Sequence, residues 1–141
     1  MEFKIPKRYR TQWTSQFYVA AELTRKGYMV ALTLGNAPTT DLMVVSPSGK
    51  QFKVQVKGLS SKNFWLIKKR QENDLYYVFV YLPKDSKPPK FFIMNSKEVA
   101  NKIEEHKKFV EPRGKIYKKF DEGFNWSTVL EHENKWDKLP T

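Results

Sequence analysis

At 141 residues, with 26 lysines and arginines against 15 aspartates and glutamates, the chain carries a formal charge of +11 and fits one ordinary domain with room for a single site. Its 40% hydrophobic and 15% aromatic content exclude wholesale disorder, and the lack of cysteine excludes disulfides and thiolate metal sites. The opening MEFKIPKRYR has no apolar h-region and the longest apolar run, Tyr76 to Leu82, is too short to span a bilayer, so a cytoplasmic chain without a membrane partner is expected.

From about Thr11 to Lys26, Trp13, Phe17, Ala20 and Thr24 recur at helical spacing, forming the stripe expected to face a core, and Gly27 suits the stop. Tyr28 to Leu34 and Asp41 to Ser46 are β-rich runs divided by the turn-forming Gly35-Asn36-Ala37-Pro38. Ser46-Pro47-Ser48-Gly49 predicts a tight turn, and Gln51 to Lys57 alternates with Phe52, Val54 and Val56 on one face, which makes a hairpin. Further strands are expected at Asn63 to Ile67, Tyr76 to Leu82 and Lys90 to Met94. Asn95 followed by Glu98 resembles a capping box, and Val99 and Ile103 supply the stripe of a second helix to about Lys108. Beyond Glu111, Pro112 and Gly114 mark a loop, and Trp126, Val129 and Leu130 suit a short helix.

The charge is unevenly placed. No acidic residue falls between Asp41 and Glu72, where Lys50, Lys53, Lys57, Lys62, Lys68, Lys69 and Arg70 all lie, so a polyanion is the natural partner. Within this stretch the hairpin fixes which side chains meet. Alternate strand residues share a face and lie about 6.6 to 6.8 Å apart, so Gln55 and Lys57 point the same way. A three-residue loop, Pro47 to Gly49 with Gly49 left-handed, pairs Leu42 with Val54 and Val44 with Phe52, and sets Asp41 opposite Gln55. A carboxylate and an amide oxygen held together are hard ligands suited to Mg²⁺, or Mn²⁺ in its place, and an adjacent ammonium suits phosphodiester hydrolysis.

This arrangement resembles the PD-(D/E)XK nuclease superfamily, whose pattern is an Asp opening one strand and Glu-x-Lys on the next; here the positions read Asp41 and Gln55-Val56-Lys57. The branch it is similar to has Gln in place of Glu. The resemblance covers about Thr11 to Ile67, with less specific strands to Met94, and implies a restriction-endonuclease-like α/β domain, a central mixed sheet flanked by helices; one domain is expected, with its core over about 11–108 and an extension over 111–141. It implies Asp41, Gln55, Lys57 and the helical Glu22 as catalytic residues, and Asp41, Gln55 and Val56 as the metal set. An endonuclease hydrolysing nucleic-acid phosphodiesters, DNA in the first place, is the function it implies, with a homodimer where two strands are cut. The alternatives are a catalytically inactive nucleic-acid-binding module of the same fold, and a protein-interaction or inhibitor domain with a basic face.

Candidate nucleic-acid contacts are Lys7, Arg8 and Arg10 before the first helix, Asn36 in the turn, Ser60 and Lys62 after the hairpin, Trp65 beside Phe64 as a base-stacking surface, and Lys68, Lys69 and Arg70. Lys115, Lys118 and Lys119 around Tyr117 read as a solvated loop. His106 and His132, the two histidines, stand in no zinc-ligand spacing and read as exposed helix residues. No dinucleotide fingerprint, P-loop or nucleophile elbow occurs.

Overall fold

The computed structural model describes residues 2–33, 40–113 and 122–141. It opens with helix α1 (Lys7–Arg25), followed by β1 (Met29–Leu32), β2 (Leu42–Val45), β3 (Gln51–Leu59), β4 (Trp65–Leu66), β5 (Leu75–Tyr81) and β6 (Lys90–Asn95). Helix α2 (Ser96–Val110) and a short strand β7 (Gly123–Phe124) come next, and 3-10 turns at Trp126–His132 and Trp136–Lys138 end the chain. Five strands form one mixed sheet in the order β1-β2-β3-β5-β6, with β3 and β5 parallel and the other neighbours antiparallel. This is the mixed α/β class the sequence implies. β4 does not join the large sheet; it pairs with β7 in a separate ribbon.

The hairpin has the expected register. Leu42 faces Val54 and Val44 faces Phe52, while the Ser46 N–H donates to the Lys50 carbonyl at 2.8 Å and leaves Pro47, Ser48 and Gly49 as the loop. Gly49 sits at φ +93°, in the left-handed region that glycine adopts without a side-chain clash. A one-residue slip would turn Leu42, Val44, Phe52, Val54 and Val56 out of the core, and that burial specifies the pairing.

Two apolar layers hold the sheet from opposite sides. Val19 and Leu23 of α1 pack with Leu42, Val44, Phe52, Val54, Val56, Val78 and Val80 on one side. On the other, Val99 and Ile103 of α2 join Tyr77, Phe79, Phe92, Met94, Trp65, Phe124 and Val129. The central strand β5 is buried on both faces and accordingly reads as a nearly continuous apolar run. Asn95 caps α2: its side chain accepts from the Glu98 N–H at 2.8 Å and the Glu98 carboxylate accepts from the Asn95 N–H at 3.0 Å. This pair of bonds satisfies two donors that the helix start would otherwise leave open.

The structure turns the expected face of α1 by one residue, about 100° around the helix. Its buried residues are Ser15, Gln16, Val19 and Leu23, whereas Phe17 is 55% exposed and Trp13 only half-buried. The row 12, 16, 19, 23 has the same helical period as the row 13, 17, 20, 24, so period alone could not choose between them. Contact with β3 decides it. An added Cβ at Gly58 would lie 2.1 Å from the Ser15 hydroxyl oxygen, so helix and strand meet closely where a glycine stands opposite a serine. Small residues are what that approach requires, and an aromatic row could not fit there.

Candidate active site

β3 runs further than its partner β2. From Gln55 to Leu59 it is paired with β5 on one side, while β2 ends at Leu42 opposite Val54. A cleft opens where β2 falls short, with a volume of 690 Å³, walled by the start of α1, by β3 and by the segment leading to β4. Asp41, Gln55, Val56 and Lys57 all line it, and the start of α1 contributes Lys7, Arg8, Thr11 and Gln12.

The open flank of β3 leaves the Val56 peptide without a strand partner, and side chains take that place. The Val56 N–H donates to Asp41 Oδ2 at 2.7 Å, and the Val56 carbonyl accepts from Gln12 Nε2 at 2.8 Å. Asp41 Oδ1 accepts from Gln16 Nε2 at 3.3 Å. Each of these oxygens has a second lone pair that can face the cleft. Burial pushes the Asp41 carboxyl above its ordinary range, although the Val56 N–H and the nearby Lys57 ammonium pull the other way. Burial likewise lowers the Lys57 pKa, opposed by Asp41 and assisted by Arg8. The two groups are therefore close enough to feel each other in a partly desolvated pocket.

Asp41, Gln55 and Lys57 are thus brought to one place, as are Val56, Ser60, Lys7 and Arg8. Arg10 and Lys62 are exposed, and neither lines the cleft. Glu22 is placed elsewhere: it pairs with Arg25 at 3.6 Å and Lys26 at 3.3 Å on α1, and the helix residue that reaches Asp41 is Gln16. Lys69 is bound to Glu104 at 2.7 Å and Arg70 to Glu72, while Lys68 is exposed; these three do not line the cleft. Trp65 is 1% exposed, stacked on Trp126 and edge-on to Phe79, so its ring belongs to the core and has no face for a base. Asn36, and the cluster Lys115, Tyr117, Lys118 and Lys119, lie outside the described residues.

Gln12 and Gln16 were not singled out by sequence reasoning. Their signal was a pair of amides four residues apart, in the helical row that also holds Val19 and Leu23. His132, expected on an exposed helix, is buried in a 3-10 turn with Nδ1 2.8 Å from Lys138 Nζ.

One carboxylate, one carboxamide oxygen and one peptide carbonyl are a donor set that could hold Mg²⁺ in its usual manner, through one or two carboxylates completed by waters and substrate phosphate. Among the described residues no group of three or more His, Cys, Asp or Glu is placed to hold an ion without such help. With Lys7, Arg8 and Lys57 around a single acid among the described residues, the cleft lining is net positive and attracts anions before it attracts cations.

The structure thus defines a mixed α/β domain with a basic, partly desolvated cleft beside a flank of its third strand that has no strand partner among the described residues. Models of known protein families and curated protein sequences give no match to the chain. Among solved structures it is similar to a bacterial homing endonuclease, I-Ssp6803I, at 15% identity over 65% of this chain and 71% of that one, with a TM-score of 0.48. The likeness is one of chain trace, and no residue role follows from it. No helix among the described residues is long and apolar enough to cross a membrane.

Proposed function

We propose that the chain is a Mg²⁺-dependent endonuclease of the PD-(D/E)XK type, in the branch with Gln-x-Lys, that hydrolyses phosphodiester bonds of DNA. The observation that supports it is the convergence of Asp41, Gln55 and Lys57 in one cleft with Lys7 and Arg8 at its mouth. Phosphates of the substrate backbone are held by Lys7 and Arg8, whose charge is independent of sequence and sensitive to salt. Asp41, Gln55 and the Val56 carbonyl hold the ion, with Mn²⁺ as a substitute. When bound, the ion supplies an acidified water and a polarised phosphorus.

The chain's own residues do the rest. Gln16 and the Val56 N–H fix the Asp41 carboxylate, so its orientation does not depend on the substrate's arrival. Gln12 fixes the Val56 peptide in turn. The Lys57 ammonium aligns the attacking water and offsets charge developing on the phosphoryl oxygens, an effect strengthened by its partial burial.

The single acid of the cleft also supports the second reading, a nucleic-acid-binding module without hydrolysis. Cleavage of supercoiled plasmid with Mg²⁺, Mn²⁺ or EDTA, by wild type, Asp41→Asn and Lys57→Ala, separates the two. The nuclease reading expects cutting that EDTA abolishes and that both substitutions reduce by a hundredfold or more. Equal cutting by wild type and both folded variants would falsify it, and salt-sensitive binding without cutting at any metal concentration would establish the module.

A further inference from the structure

His132 and Lys138 lie away from the cleft and meet where the chain crosses from one face of the sheet to the other. Val129, in the 3-10 turn Trp126–His132, belongs to the apolar layer on the α2 side. From there the segment 133–141 passes round the edge of β6 that is not paired with β5. Glu133 bridges Phe92, the Asn134 N–H donates to the Phe91 carbonyl at 2.9 Å, and the Trp136 ring lies 5.4 Å from that of Phe91. Leu139 is then buried in the layer on the α1 side, and the Pro140 carbonyl accepts from the Tyr28 hydroxyl at 2.8 Å. Among the described residues no strand pairs with that edge of β6, so this segment is its cover.

Three polar side chains fasten the cover. The Lys138 ammonium lies 2.7 Å from Glu98 Oε2, at the capped start of α2, and 2.8 Å from His132 Nδ1. An ammonium has only donors, so Nδ1 presents its lone pair and the ring proton sits on Nε2. Nε2 is buried and makes no hydrogen bond among the described residues, with Glu131 Oε1 3.4 Å away but out of line for one. Glu98 and Lys102 face the ring from α2, Glu131 from its own turn and Lys138 from the next. Burial and the Lys138 charge hold its pKa below the ordinary 6.5, with Glu98 and Glu131 opposing them and Lys102 assisting. A second proton on the ring would turn an imidazolium N–H toward an ammonium, two cations and two donors face to face. Glu98 Oε2 stands 3.9 Å from Nδ1 and can receive the imidazolium only when Lys138 gives it up. His132 is held by Val129 before it and the Glu133 bridge after it, so Lys138 is the partner that leaves.

We propose that the segment 133–141 is a strap latched by neutral His132, and that protonation of His132 displaces Lys138, releases the strap and uncovers the outer edge of β6. The latch uses no residue of the cleft and is independent of the cleavage reading. With its pKa lowered in the latched state, His132 favours closure above the ordinary 6.5 and opening below it, by about tenfold per pH unit for one proton until the latched pKa is reached. Glu98, lowered from the ordinary 4.5, loses its own contribution only in more acid solution, so the two windows are separate.

The test is amide hydrogen exchange of the whole chain followed by NMR from about pH 7.5 to about pH 5. The protection of the Asn134 N–H, corrected for its intrinsic exchange, should fall by about tenfold per pH unit below 6.5. It should also be lower than that of the β5 amides and insensitive to low urea, because releasing a strap exposes far less surface than unfolding does. Asn134 protection equal to that of β5, with the same urea dependence, means that the segment opens only with the whole fold and overturns the strap. His132→Asn keeps an acceptor for Lys138 and has no titrating ring, so its Asn134 protection should stay level over the same range. Lys138→Met should lower the protection at every pH and remove the loss in acid. The same acid loss in His132→Asn overturns the latch. In the wild type, the ring protons of His132 should titrate with a midpoint below 6.5, and a midpoint at or above it overturns the latch without recourse to any variant.

Discussion

Replacing Gly58 by alanine would test whether α1 and β3 are packed as closely as the site requires. The added methyl would stand 2.1 Å from the Ser15 hydroxyl oxygen, 2.9 Å from its Cβ and 3.1 Å from the Thr11 carbonyl oxygen. Of these atoms only the hydroxyl oxygen can swing aside, and the Ser15 Cβ and the Thr11 carbonyl oxygen are fixed by the helix backbone. Ser15 is fully buried and its hydroxyl donates to Thr11 at 2.7 Å, so the helix as a whole must move outward. Overpacking of this kind costs about 1 to 3 kcal/mol. With a urea slope of about 2 kcal/mol per molar, the midpoint should fall by about 1 M. The same shift carries Gln12 and Gln16 away from Val56 and Asp41, so cleavage should fall further than stability under conditions where the variant is fully folded. Ser15→Gly removes the first two obstacles and costs about 0.5 kcal/mol in helix propensity. The double variant Ser15→Gly with Gly58→Ala should therefore be more stable than Gly58→Ala alone, a coupling read from a double-mutant cycle in urea. Additive single effects, or an alanine variant that unfolds at the wild-type midpoint, would refute the close approach.

Under the proposed function, the pH dependence of cleavage follows from the two shifted groups. Asp41 must be ionised to act and its pKa lies above the ordinary 3.8, so the acid limb of kcat/KM should fall away at a pH higher than an exposed aspartate would give. Lys57 must be charged and its pKa lies below the ordinary 10.5, which should bring the alkaline limb in earlier; a flat profile across both ranges would count against these assignments. Glu98 is the opposite case for stability: burial raises its pKa, but the Lys138 hydrogen bond, the Asn95 N–H and nearby positive charge outweigh that and leave it lowered. Its contribution is present above the ordinary value and is lost as pH falls through the folded pKa, so Glu98→Ala should cost about 1 to 2 kcal/mol at neutral pH and less in acid, as thermal melts will report. Gly49→Ala meets nothing within 4 Å and should cost only its left-handed backbone, about 1 to 2 kcal/mol in urea, with cleavage unchanged.

The hairpin was legible because three independent constraints agreed there: a turn sequence, a period of two, and a register that buries apolar residues against each other. Asp41 came to stand opposite Gln55 as a consequence, whereas β5 and β6 were legible as apolar runs and not by alternation. What sequence patterning misjudged was orientation. Phe17 looks like a core residue by hydrophobicity yet is exposed, Trp13 is only half-buried, and Trp65, offered as a base-stacking surface, lies in the core. Side-chain size was the wrong guide on α1, since helix and strand approach too closely for rings. Trp65 is held inside by a strand, β7, some sixty residues later in the chain, and nothing local announces that pairing. Glu22 was chosen by residue type, whereas the position facing Asp41 is taken by an amide.

The unmatched stretch of β3 makes one atom set answer for two duties. A carboxylate at position 41 closes the ladder for Val56, so under the proposed function removing it would deprive a peptide group of its mate as well as the reaction of its acid. Alanine there would blur the two losses, while asparagine keeps an acceptor oxygen and subtracts mainly the charge. Drift at this position is correspondingly confined: side chains able to accept that bond are few and short, so a lineage that gave up hydrolysis would still have reason to retain a polar residue where its second strand stops.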